Sequence, residues 1–388
     1  MLQNVRTTGS LSNQESDPTI ARRSLQIAAG CLGVDPSGLA VSKLTGDASS
    51  RIYYRINSTA HQNGNARSSA SLVLVRYPDP FDETQSASKR LTELELTDPK
   101  ARLTFASDPC AQIEVTRLML GGGLPVPKVV GVCGDEGVIM FEDLGDLRLQ
   151  EWLGGKPPEE IRDAYMEALR LLVQIQNNTE IALSSGSICS RLALDKDKLG
   201  WELDFFLDNY FDKYCSAVIP AAQMSQAREE VSELCHELSS LPRVLTHRDY
   251  HARNLMMHGG GMYIIDHQDA RMGPRSYDLV SLLYDPYAEL KADLIEELLD
   301  SFIGLTSSQK FRITDNAGFR RACDLAALQR LLKAAGTYSF QAAVKKNEVY
   351  VQYLAPALET AVEISRRIGR FDALRALIET HPVKRSGE

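Results

Sequence analysis

The chain is expected to adopt an α+β fold of two lobes, a β-rich N-terminal half followed by a mostly helical C-terminal half. Three observations carry this expectation. Short apolar, β-branched runs bounded by Gly, Asn, Asp and Ser fall at 39–44, 51–56, 71–77, 128–133 and 137–141, which reads as five strands. Helical periodicity dominates after residue 147, with examples at 158–177, 225–241, 288–303 and 319–345. Between the two patterns stands Glu142-Asp143-Leu144-Gly145, where the strand rhythm breaks.

Taken in order, residues 1–18 are polar and rich in Ser, Thr, Asn and Gln, the composition of a flexible tail. A helical pattern through Ile20, Leu25, Ile27 and Ala28 ends near Gly33, and the first two strands follow, separated by Thr45-Gly46-Asp47-Ala48-Ser49-Ser50. The segment 57–69 reads as an elongated loop before the third strand. Residues 83–107 are polar and carry no assignable period. A helix over 109–119 presents Ile113, Val115, Leu118 and Met119, and Gly121-Gly122-Gly123 stops it. The expected organisation is a tail at 1–18, an N-terminal lobe at 19–141, a hinge at 142–146 and a helical lobe at 147–388. No internal repeat is present.

A chain of 388 residues suffices for two lobes with substantial cores. A net charge of −8 argues against a nucleic-acid partner, because phosphate backbones demand a basic surface. The seven cysteines are scattered without a C-x-x-C pair, so buried thiols in a reducing compartment are expected, not disulfides or a zinc site. No apolar run reaches a membrane span, and the N-terminal stretch lacks a signal-peptide core, so a cytoplasmic location without membrane partners is expected. Oligomeric state has no signature in the sequence.

Chemistry concentrates in His247-Arg248-Asp249-Tyr250-His251-Ala252-Arg253-Asn254 and, after a short apolar segment, Ile264-Ile265-Asp266. The pattern H-R-D-x-x-x-x-N with a downstream Asp supplies what phosphoryl transfer from ATP needs. Asp249 can take a proton from an attacking hydroxyl, while Asn254 and Asp266 can hold Mg2+ against the nucleotide phosphates. A zinc hydrolase built on His247, His251 and His258 is the competing reading. It is disfavoured because the H-x-x-x-H motif requires a helix with Glu after its first His, where the cation Arg248 stands and would repel a metal.

The order of parts resembles the protein-kinase-like fold, especially its small-molecule branch of aminoglycoside phosphotransferases and choline kinases. The segment IDHQDARMGPRSYDLVSLLYD at 265–285 is similar to the I-D-F-Q-D-A-x-x-G-P-x-x-Y-D-L-V-S-L-L-x-D segment of the bacterial anomeric N-acetylmuramate and N-acetylglucosamine kinases. LQRLLKAAGTYSF at 328–340 resembles that family's Q-R-x-L-K-x-x-G helix, and Trp201-Glu202-Leu203-Asp204-Phe205-Phe206 its E-L-x-L-F element. The matches cover the C-terminal half well and the N-terminal half in outline.

The resemblance implies a bilobal kinase-like architecture, ATP and Mg2+ as cofactors, and a small-molecule sugar as partner. Asp249 would be the base toward the sugar C1 hydroxyl, with Asn254 and Asp266 as metal ligands. His247 would brace the loop and Asp278 would anchor it. Kinases place a phosphate-holding lysine on the third strand, and here Arg76 stands near that position, with Glu114 as its expected ion-pair partner. The phosphate-covering loop would be 45–51, gripping through Ser49, Ser50 and Arg51 although it holds one glycine. Glu142-Asp143-Leu144 would be the hinge whose backbone groups read the adenine edge. His267 departs from the family's Phe. The stripe Trp201, Phe205, Phe206, Tyr210 and Phe211 reads as core packing, with a sugar-stacking wall as the alternative. Two other functions compete: an aminoglycoside or choline-type kinase, and a pseudokinase that binds nucleotide without turnover.

Overall fold

A computed structural model describes residues 20, 22–44, 51–59, 71–105 and 108–383. The tail expected at 1–18, most of the 57–69 loop, and Ser49 and Ser50 lie outside the described residues. The chain divides into two compact units, residues 1–83 with 129–143, and residues 84–128 with 144–388.

The first unit is a five-stranded antiparallel sheet in the order β1-β2-β3-β5-β4. Its strands are β1 (Leu39–Lys43), β2 (Ile52–Ser58), β3 (Ser71–Arg76), β4 (Val129–Cys133) and β5 (Val138–Glu142), each within a few residues of its expected span. Alternation decides which face is buried: Tyr54 and Ile56 of β2, Leu72 and Leu74 of β3, and Val138 and Met140 of β5 share one apolar cluster. The helix Arg22–Leu32 covers that face through Ala28, Leu25 and Ile27. Glu136 fixes its start by accepting from the Ser24 amide at 2.8 Å and from the Ser24 hydroxyl, satisfying orphan donors of the first turn. Close approach is needed at Gly131, where a Cβ would lie 2.9 Å from Ile27 Cγ2. At the sheet's end Asp143 accepts from Arg55 Nε at 2.7 Å and from the Ser71 hydroxyl at 2.7 Å.

The second unit is mostly helical. Its long helix Asn316–Ala343 packs against Lys196–Phe206, Ser276–Leu283 and Val351–Ile368. Gly336 permits the closest of these approaches, since a Cβ there would sit 2.7 Å from Phe206 Cα. Two short antiparallel pairs carry the motif region: β6 (Arg243–Thr246) with β9 (Arg271–Pro274), and β7 (Leu255–His258) with β8 (Gly261–Ile264). Four-residue strands are too short to show a period, and the sequence reading had no strands for them.

Residues 84–128, read from the sequence as part of the N-terminal lobe, belong to the second unit. The unassigned stretch 83–107 contains the helices Ala87–Glu95 and Ala101–Thr104. Polar contacts explain their allegiance. Glu114, on the helix Pro109–Gly121, accepts from the Ala87 amide at 3.1 Å and the Ile188 amide at 2.6 Å, holding two helix starts together. Lys198 donates to the Leu103 carbonyl at 2.5 Å. No described helix is long and apolar enough to cross a membrane. All seven cysteines are free thiols.

Candidate active site

The loop after β6 is pinned amide by amide. Asp278, in the first turn of the helix Ser276–Leu283, accepts from the amides of His247 at 2.6 Å and Arg248 at 2.9 Å. The Asp249 amide donates to His247 Nδ1 at 3.3 Å, and the Ala252 amide to Asp285 at 2.9 Å. His247 is fully buried, with Nε2 2.9 Å from the Ile265 carbonyl. Both ring nitrogens are thus tied to backbone groups, one of the loop and one of Ile265, so this ring braces the loop. Tyr250 is buried and its hydroxyl donates to the Ala168 carbonyl at 2.8 Å. This density of anchors sustains a left-handed backbone at Arg248, φ +82°, and at Asp266, φ +58°, where β-carbon crowding disfavours it.

Asn254 and Asp266 are brought together by the hydrogen bond from the Ile265 amide to the Asn254 carbonyl at 3.0 Å. Asn254 Nδ2 donates to the Asp249 carbonyl at 2.9 Å, committing the nitrogen of that carboxamide and tying it to the loop. Asp266 Oδ1 accepts from Gln268 at 2.9 Å. The side-chain oxygens of Asn254 and Asp266 are hard donors, the kind Mg2+ takes.

Asp249 is surrounded by cations. Its Oδ1 lies 2.8 Å from Lys333 Nζ and 3.0 Å from an Arg330 guanidinium nitrogen, and Oδ2 lies 3.8 Å from Arg248. Burial works to raise its pKa, but Lys333, Arg248 and Arg330 together hold the carboxyl well below the usual range. Arg248 has acids of its own, Glu202 at 2.8 Å and Asp269. Glu202 is itself buried. Burial would raise its pKa, yet Lys333, Arg248 and Lys198 bring it down to about 2, and Gln329 also donates to it at 3.1 Å. Burial lowers Lys333 to about 8, reinforced by Arg248 and Arg330 and opposed by Asp249 and Glu202. A cavity of about 250 Å³ opens here, lined by Arg248, Asp249, His251, Arg330 and Lys333 with Tyr287 and Tyr338 as walls.

The motif Gln329-Arg330-x-x-Lys333-x-x-Gly336 thereby acquires a physical account, one residue on Glu202, two on Asp249 and one against Phe206. Sequence reasoning had the helix as a family mark and missed its two cations as site residues. Their i, i+3 spacing, which puts both on one helix face, was the available signal.

The other expected residues fall as follows. Arg76 ends β3, opposite Ile52 and Val138, and borders a cavity of about 240 Å³ with Tyr77, Asp135 and Glu136. Glu142 ends β5 opposite Leu72. Arg51 lies with its guanidinium 5.9 Å over the Tyr53 ring. Leu144 is buried, and its carbonyl accepts from His258 at 3.0 Å. Glu114 has both carboxylate oxygens on amides of the second unit, as described above. His267 is buried with Nε2 2.7 Å from the Thr116 hydroxyl, so a polar contact takes the place of the family's phenyl packing. Among the described residues no three of His, Cys, Asp and Glu gather in a group that could hold a metal. Of the aromatic stripe, Phe206, Tyr210 and Phe211 are buried, while Trp201 is 41% exposed and stands 6.3 Å from Phe205.

Residues 41–311 match the family model described as the phosphotransferase enzyme family. The chain belongs to that family. Among curated proteins, it is 27% identical over 255 residues to an N-acetylmuramate/N-acetylglucosamine kinase of Neisseria meningitidis, spanning 65% of this chain and 74% of that one. It is 26% identical over 233 residues to a protein of the same name from Pseudomonas aeruginosa, spanning 58% of this chain and 64% of that protein, just under two thirds of its length. Among solved structures, the choline kinase of Cryptosporidium parvum matches with a TM-score of 0.55 at 13% identity, covering 91% of this chain and 98% of that one. At that identity the likeness is one of fold. It agrees with the bilobal kinase-like architecture expected from the order of parts, and the His247–Asn254 loop of this phosphotransferase lies inside the matched segment.

Proposed function

We propose that the protein is an ATP- and Mg2+-dependent kinase that phosphorylates the anomeric hydroxyl of an amino sugar of the N-acetylmuramate/N-acetylglucosamine type. The observation that carries this reading is Asp249 at a 250 Å³ cavity, on a loop anchored through the amides of His247, Arg248 and Ala252. The names of the curated relatives support the choice of acceptor.

In the proposed reaction Asp249 accepts a hydrogen bond from the sugar hydroxyl and aims its oxygen at the terminal phosphorus of the nucleotide. With its pKa held well below the usual range, Asp249 is a weak base. It therefore receives the proton late, once the forming O–P bond has acidified the oxygen. Asn254 and Asp266 fit as the Mg2+ ligands, and the bound ion would neutralise charge on the nucleotide phosphates. The nucleotide-contacting roles of Ser49, Ser50, Arg51, Arg76, Glu114, Glu142 and Leu144 are part of the same proposal.

The charge of the cavity separates this reading from an aminoglycoside or choline kinase. A polycationic acceptor needs convergent acids, and the cavity offers Arg248, Arg330 and Lys333 against Asp249 and Asp285. Both acids already hold protein donors. The deciding experiment offers purified protein ATP, Mg2+ and a panel of hexosamines, aminoglycosides and choline, and follows sugar 1-phosphate. Sugar 1-phosphate from N-acetylated hexosamines is expected. Turnover confined to aminoglycosides or choline would refute the acceptor, and nucleotide binding without any turnover would establish a pseudokinase instead.

A further inference from the structure

We propose that Lys333 and Arg330, one turn apart on the helix Asn316–Ala343, are the cations that hold the transferring phosphoryl group over Asp249. The inference rests on the kinase reading above and assigns that site a catalytic pair the loop motif does not contain.

Charge balance is the first argument. Arg248 is matched by Glu202 and Asp269. Lys333 and Arg330 instead converge on one oxygen of one carboxylate, Asp249 Oδ1, at 2.8 and 3.0 Å. Two cations thus crowd the one carboxylate that must meet the hydroxyl, at the edge of the cavity whose other acid is Asp285. Their side chains remain 11% and 12% exposed, so both border the open space. A group that hydrogen-bonds Asp249 is within about 3 Å of it. The phosphorus under attack from that group's oxygen is then a near neighbour of the carboxylate that both cations hold.

The second argument is that the other basic residues of the loop are engaged elsewhere or uncharged. His251, two residues past the base, lines the cavity, but burial and Arg330 bring its pKa down to about 3 and it is neutral. Arg253 is stacked 3.8 Å over Tyr287 and donates to Gln150. The positive charge that phosphoryl transfer requires on this side thus comes from a helix more than eighty residues downstream.

The step balances simply. The sugar oxygen uses a lone pair to form the new O–P bond. The bond from the terminal phosphorus to its bridging oxygen breaks, and its electron pair leaves on the nucleoside diphosphate. The hydroxyl proton passes to Asp249 and then to solvent. Lys333 and Arg330 stay protonated throughout and bind the equatorial phosphoryl oxygens most tightly where charge is most spread, so they act on kcat more than on KM.

The test uses the full chain carrying Lys333→Met, Lys333→Gln or Arg330→Met, with thermal melting to confirm folding. Expected is a kcat lower by about 10²- to 10³-fold with both KM values within about threefold. Binding of ADP with aluminium fluoride, which mimics the planar phosphoryl group, should weaken by a similar factor while ADP alone binds as before. The wild-type rate should fall above about pH 8, as Lys333 loses its proton among Asp249, Arg248, Arg330 and Glu202. The Met variant should lack that limb. Slow ATP hydrolysis in the absence of sugar should drop alongside, which separates this claim from the choice of acceptor. If the wild type hydrolyses ATP but phosphorylates no amino sugar, the acceptor is wrong and the hydrolysis data still decide the cations. The proposal is overturned if kcat is unchanged. It is equally overturned if the variants raise KM only for a carboxylate-bearing sugar, because the cations would then read the acceptor.

Discussion

The sheet of the first unit and the ground beneath the His247–Asn254 loop are held by opposite kinds of interaction. Tyr54, Ile56, Leu72, Leu74, Val138 and Met140 bury one continuous apolar face, and the Arg55–Asp143 pair stands at its end. Under the loop, Glu202, Arg248, Asp269, Arg271, Arg330 and Lys333 form a buried web of charge around Asp249. Apolar burial is non-directional and stabilises in proportion to area. Buried ion pairs add little net stability, because desolvation offsets their attraction, but they fix direction. The sheet is thus built to be stable, and the loop is built to aim one carboxylate.

Breaking each region should therefore fail differently. The largest effect is expected at Asp249→Asn, which keeps the shape and removes the proposed base. Turnover should fall by on the order of 10³- to 10⁴-fold with ATP affinity nearly intact, and retained activity would remove Asp249 from its role. Glu202→Gln comes next, because it removes the buried acid that Arg248 and Lys198 share, leaving Lys198 on the Leu103 carbonyl and Arg248 on Asp269. Urea unfolding should show a loss of about 3–5 kcal/mol. The pH dependence has a definite sign. A Glu whose pKa falls from about 4.3 unfolded to about 2 folded contributes fully at neutral pH and loses that contribution as pH drops from about 5 through 2. The gap between wild type and variant should close over that window, and a constant gap would assign the loss to packing.

Leu74→Ala tests the sheet. This fully buried side chain should cost about 3 kcal/mol through lost transfer and a residual cavity, while the activity of the remaining folded protein stays near wild type. Equal loss of activity would erase the distinction between the two regions. The smallest effect is expected at Gly336→Ala, whose Cβ would sit 2.7 Å from Phe206 Cα. A cost of about 1–3 kcal/mol follows from overpacking. Because Lys333 lies one turn earlier, kcat should fall as well, and unchanged kcat would show that the helix can shift without moving its cations.

How much of this was legible depended on whether the determinant was local. The helix Pro109–Gly121 was readable because Asp108 caps it, Pro109 suits its first turn, and the glycines after it stop it. The helix Ala87–Glu95 was not, because only Ala87 and Leu91 are buried on it and no period stands out. Glu114 could be picked out as a helix carboxylate, but its real neighbours, the Ala87 and Ile188 amides, are distant along the chain. The loop motif announced its chemistry through residue types at fixed spacing. Its left-handed residues Arg248 and Asp266 left no mark, since Arg does not favour positive φ and a lone Asp adopts it too seldom to signal it.

By itself, then, the sequence determined the five strands of the sheet, the long helices and the H-R-D-x-x-x-x-N…D loop, because periodicity, caps and motif spacing act over a few residues. Only the tertiary structure decided which charges surround Asp249. Lys333 is 84 residues away from it, and their 2.8 Å contact exists because Gly336 lets one helix close on another. That closure puts the cations where burial strengthens their pull on the carboxylate.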